Sequence, residues 1–188
     1  MGELGPERAP GGACWPVLSI LGSFRSQPLA AEQRDYLLAA LEWGAAHSRG
    51  FEKHWGLWRD RMAAGRVSVV VDVHRGAEGL FNALTGGLYL SSSRLPLQAR
   101  HCAWALSRWQ EPLVLQGLVD VTAVIVHESS HALAGFWGSL QELGPYRRER
   151  DYLRQLAGHQ ALRALAESRL ADLARDAWEC EKIRLDTL

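Results

Sequence analysis

The 188-residue chain carries 21 basic and 21 acidic side chains, with 47% hydrophobic and 22% charged residues. That balance excludes a chain disordered throughout, and it leaves no surplus of positive charge of the kind a nucleic-acid-binding face needs. The length suits one domain, 1–188, with 1–26 as an extended or mobile leading segment and 145–188 as C-terminal helices.

Pro28 opens a segment through Ser48 in which Leu37, Leu38, Leu41 and Trp43 recur at helical intervals, and Arg49-Gly50 closes it. Phe51–Ala64 reads as a second helix with Trp55, Trp58 and Met62 on one side. The period then shortens. Val67–Val73 is β-branched and predicts a buried strand, and a Gly-punctuated connection leads through Gly86-Gly87 to a shorter edge strand, Leu88–Ser93. Pro96–Trp109 and Pro112–Gly138 return to helix, and the second is apolar on most sides, as a central buried helix is. Gly144-Pro145 breaks and restarts the chain. Beyond it Leu153, Leu156, Leu162, Leu165, Leu170 and Leu173 mark an inner face, with Gly158 dividing two helices. The order predicts an α+β fold with a small sheet.

Cys14, Cys102 and Cys180 are odd in number and far apart, which supplies neither a disulfide framework nor a thiolate metal site. Buried small apolar side chains and a reducing cytoplasm are the expectation; export by a dedicated secretion machine is compatible with it. Ala13–Gly22 is apolar, but Glu3 and Glu7 spoil a basic leader and no clear cleavage site follows. No membrane partner is expected. Of the eight tryptophans, Trp43, Trp55, Trp58, Trp104, Trp109, Trp137 and Trp178 sit in apolar helical settings and read as core.

The chemistry concentrates at His127-Glu128-Ser129-Ser130-His131, an H-E-x-x-H string inside the central helix. Residues four apart share a helix face, so both imidazoles can reach one metal ion at about 2.0–2.1 Å. Glu128 lies about 100° round the axis, next to the first ligand but outside the ligand pair. From there it can act as general base on a water acidified by the ion. Two histidines and a glutamate flanked by VTAVIV and ALAGFW also need a reason to be buried. A hydrogen-bonded polar patch in a core helix is the plain alternative.

Strand, edge strand, linking helix and an HExxH helix, in that order, resemble the zincin metallopeptidases, most closely their small gluzincin-type members. The resemblance covers Pro28 to about Leu165, and only HExxH in it is specific. It implies a zinc-dependent peptidase acting on a peptide or protein substrate through a metal-activated water. His127 and His131 would be ligands, and Glu128 the base. It also implies a glutamate ligand on a downstream helix. The alternative metzincin ligand position, six residues past His131, is Trp137. Glu149, 18 residues past His131 and one turn into the helix Pro145 starts, matches the implied third ligand; Glu142 and Asp151 stay open as alternatives. Tyr152 and His159 follow on the same helix as candidate oxyanion donors, and Asp120 as a carboxylate that could orient a ligand. Leu88, Tyr89 and Leu90, on the expected edge strand, would hold an extended peptide by strand addition. A non-catalytic peptide-binding or scaffold protein of the same fold is the competing reading.

Overall fold

A computed structural model describes residues 26–71, 77–135 and 141–181. Its elements in order are β1 (Ser26–Pro28), α1 (Ala31–His47), α2 (Glu52–Ala63), β2 (Val67–Val70), β3 (Gly79–Asn82), β4 (Gly87–Ser91), α3 (Ala99–Ala105), α4 (Pro112–Leu133), α5 (Leu143–Ala157) and α6 (Arg163–Glu181). The α+β class expected from the sequence is the observed one. The leading segment, Asp72 and Val73 of the expected first strand, Trp15 and Trp137 lie outside the described residues, as do the side chains of Cys14 and Cys180.

The helices form where apolar residues recur every three to four positions. In α1 the buried positions are Gln33, Tyr36, Leu37, Ala40, Leu41 and Gly44, and in α2 they are His54, Trp55, Trp58 and Met62. A Cβ added at Gly44 would sit 2.9 Å from the Trp55 ring, so the bare glycine lets α1 and α2 close on each other. The Trp58 indole N–H donates to the Ile125 carbonyl at 3.0 Å, which docks α2 on α4 and satisfies a buried donor.

Helix α4 is the spine. Pro112 starts it without the loss of an internal bond, and residues from Val114 to Val126 are buried on nearly every side. By length and composition it could cross a bilayer, yet it is clad by α1, α2, α5, α6 and β3. Pro145 falls in the first turn of α5, where a missing N–H is tolerated, and Gly158 ends that helix. Of the core tryptophans expected, Trp55 and Trp58 are buried, and Trp43, Trp104 and Trp109 pack against the core in part. Trp178 departs from that expectation, at 44% exposed.

The sheet has the order β1-β2-β4-β3, with β2 and β4 parallel and the two outer pairs antiparallel. Here the structure corrects the sequence. The strand expected at the edge is an inner one, β4, hydrogen-bonded to β2 on one side and β3 on the other. Strand β3 takes the edge. Its four residues, GLFN, are too few to carry a periodic signal, and they form only as the hairpin partner of β4 across a turn with Gly86 at φ +66. β1 is one residue shorter and sits beyond β2 as the opposite edge.

Candidate metal centre

The HExxH segment forms the last turns of α4. The two intervening serines are buried and turn their hydroxyls back to their own helix. Ser129 Oγ donates to the Ile125 carbonyl at 2.5 Å and Ser130 Oγ to that of Val126 at 2.7 Å. This back-bonding leaves no hydroxyl unsatisfied under the helix. His127 and His131 then lie one turn apart and edge to face, ring centroids 5.1 Å apart.

Glu142 closes the cluster. It is the N-cap residue of α5, but its carboxylate makes no cap bond there. Instead Glu142 Oε2 lies 3.2 Å from His127 Nε2 and 3.4 Å from His131 Nε2. One ligand atom from each of the three residues lies within 4.8 Å of the others. Adjacent ligands around a tetrahedral zinc with bonds of about 2.1 Å are about 3.4 Å apart, so the separations of 3.2 and 3.4 Å fit that ion. His131 Nδ1 is buried with no partner among the described residues, so the bonding of that ring runs through Nε2.

Glu149, the residue matched to the third ligand from the sequence, is on the other side of the His127 ring. Its Oε2 is 3.0 Å from His127 Nδ1, and its Oε1 accepts from Arg169 Nη2 at 3.2 Å. Both oxygens are engaged away from Nε2, so Glu149 fixes the orientation of the His127 ring from its Nδ1 side. Asp151, the other alternative, pairs with its neighbour Arg150 at 2.9 Å.

Electrostatics set this pocket apart. Burial opposes a charge on His127, but hydrogen bonds to Glu142 and Glu149 outweigh it and raise the imidazole pKa well above its usual value. Burial likewise works against charge on Glu142 and Glu149. For Glu142 the bonds to His127 and His131 prevail, and for Glu149 those to His127 and Arg169; both carboxyls are held below the usual range. Glu128 differs. Burial dominates there and pushes its carboxyl up, which favours a proton-accepting role. Three carboxylates around two imidazoles make a site that favours positive charge.

Edge strand β3 lies directly on this turn of α4. A Cβ built at Gly79 would come within 2.7 Å of Glu128 Cγ and Val124 Cγ1, so only glycine allows this approach. Ser91 N–H donates to the Glu78 carbonyl and Gly86 N–H to that of Asn82. By the alternation of an antiparallel pair, residues 79 and 81 then direct their main-chain groups to the open side.

The other candidates go elsewhere. Tyr152 is fully buried; its hydroxyl donates to Thr122 Oγ1 at 2.8 Å, and its ring packs edge-on against Phe51 and Trp55. It is a core residue and no oxyanion donor, because α5 turns position 152 toward α2 while it turns 149 toward His127. His159 lies against the His47 carbonyl at 3.1 Å. Asp120 accepts from Gln116 within α4 at 2.8 Å. Leu88 and Leu90 are fully buried, and the backbone of β4, Tyr89 included, is committed on both sides, which corrects their assignment to peptide binding. Sequence reasoning missed Glu78, Gly79, Arg169 and Tyr146, whose ring stands edge-on to His127 at 5.0 Å. A separate cavity of about 810 Å³, lined by His54, Ser130, Arg147 and Arg148 among others, includes none of the three cluster residues.

Comparison with family models, with curated proteins and with solved structures found no match to this chain.

Proposed function

We propose that this chain is a zinc-dependent metallopeptidase of zincin-like architecture, with His127, His131 and Glu142 as the metal-binding residues. The observation that carries the reading is the meeting of two HExxH imidazoles with a carboxylate from another helix, at separations of 3.2 and 3.4 Å. Zinc in such a set supplies Lewis acidity toward a carbonyl oxygen and acidity to a water molecule. Glu128, buried on the same helix turn with its pKa raised, would serve as the base toward a water at that centre and would carry the proton to a leaving amine. Glu149 keeps His127 in orientation from its Nδ1 side. The edge of β3 that has no strand partner among the described residues rests on Glu128 and would receive an extended peptide by strand addition.

Metal analysis of the purified chain should find about one zinc per molecule. Glu128→Gln should retain that zinc and lose at least about 100-fold in peptide hydrolysis, since a general base contributes on the order of 10²–10⁴. A chain that neither carries zinc nor gains it on addition overturns the reading. The second reading, a non-catalytic peptide-binding protein on the same framework, is favoured by the positions of Tyr152 and His159, both turned away from the cluster. Stoichiometric zinc and peptide binding, with no cleavage by either wild type or variant, would select it.

A further inference from the structure

The buried positions of α6 are Ala166, Arg169, Leu173 and Ala177, three or four residues apart. Three of these are apolar and the fourth is a guanidinium. A charge on an inward stripe is costly unless it is paired. Arg169 is paired on two sides. Its Nη1 donates to Glu78 Oε1 at 3.1 Å and its Nη2 to Glu78 Oε2, while Nη2 also donates to Glu149 Oε1 at 3.2 Å. The second oxygen of Glu149 faces His127 Nδ1 at 3.0 Å.

A carboxylate held only by one imidazole is free to turn about its own bond. With Oε1 committed to Arg169, Oε2 has one direction left, and that direction is His127 Nδ1. The planar fork of arginine is what allows two carboxylates to be gripped at once; a lysine ammonium carries the charge without that geometry. Glu78, which immediately precedes β3, anchors the fork from the opposite side.

We infer that Arg169 is a positioning residue of the metal centre, holding Glu149 so that His127 presents Nε2 to His131 and Glu142. This rests on the metal-site reading above and extends it to a helix the HExxH pattern does not reach. With Nδ1 kept as the donor to Glu149, the Nε2 lone pair is the one available to a cation.

The test compares wild type, Arg169→Lys, Glu149→Gln and the double variant, each first checked for native packing by near-UV circular dichroism. Zinc affinity is read by chelator competition, and the ligand field by the visible spectrum of the cobalt-loaded protein. Arg169→Lys should weaken zinc binding about 10–100-fold and shift the cobalt bands. Glu149→Gln should do the same, and the double variant should bind no more weakly than the poorer single one, because both act on one ring. Should Arg169→Lys fail to fold, Glu78→Gln releases one side of the fork with Arg169 in place and should weaken zinc binding in the same direction, by less. Zinc affinity within about twofold of wild type with unchanged cobalt bands overturns the inference, as do losses that multiply in the double variant. A wild type that binds zinc through His127 and His131, with Arg169→Lys indifferent, removes the inference alone. A wild type that takes up no zinc removes the metal site with it.

Discussion

Two histidines largely withdrawn from solvent, His54 on α2 and His127 within α4, meet opposite electrostatic outcomes. His54, on α2, sits among Phe51, Ser130 and the tryptophan face of that helix. Burial pushes its pKa down to about 4, with the Arg148 charge acting in the same direction, and the ring is held neutral. His127 is half-buried, but Glu142 and Glu149 flank its two nitrogens and its pKa rises. Burial by itself keeps an imidazole uncharged. Carboxylates delivered by a second helix favour its charged form instead. The chemical asymmetry of the molecule therefore lies in what α5 turns toward α4: acids at 142 and 149, and an aromatic ring at 152.

The comparison breaks most severely if Glu142 is not the residue that matters. Glu142→Ala should lower zinc affinity by at least about 100-fold, the upper end of what outer contacts alone cost, while Asp151→Ala should leave it unchanged. Equal zinc affinities for the two variants would remove Glu142 from the set.

The strand over the acidic side offers the next largest effect. Gly79→Val has no room against Val124 and Glu128 and should cost about 1–3 kcal/mol in urea unfolding, as overpacking does. Gly56→Ala in α2 meets nothing within 4 Å. It should be stabilising by about 0.4–1 kcal/mol. Similar values for the two would mean that β3 does not rest on Glu128 as described.

On the aromatic side, Tyr152→Phe should lose about 0.5–1.5 kcal/mol with its bond to Thr122 and leave zinc affinity untouched. A drop in hydrolysis without a drop in stability would instead return Tyr152 to the reacting centre.

The smallest effect is on the pH dependence of stability. The unfolded His54 takes up a proton near the ordinary imidazole value of 6.5, and the folded one resists until about 4. Its contribution is therefore complete above 6.5 and is lost as pH falls through the window toward 4. Glu52 and Arg148 face the same ring with opposite charges, and Arg148 is the stronger influence. His54→Asn should show a shallower loss of stability across that window than wild type. Identical slopes would mean that the ring is not held neutral.

The sequence by itself determined the helices and the placing of His127, Glu128 and His131 along one of them. These depend on a period of 3.6 residues, and local spacing is enough to fix it. The same period marked α4 as central, because its apolar residues leave no polar face outside the motif. What it could not determine was which acid meets Nε2. Glu142 and Glu149 are both within reach in sequence, and the choice depends on how α5 is rotated against α4. Nor could four residues, Gly79–Asn82, announce an edge strand, since their pairing partner lies across a turn. Arg169 passed unnoticed, because the leucines marked the inner face and the buried positions of α6 prove to be Ala166, Arg169, Leu173 and Ala177. Tertiary structure decided all three, because contacts between segments far apart in the chain follow from packing, and periodicity carries no record of packing.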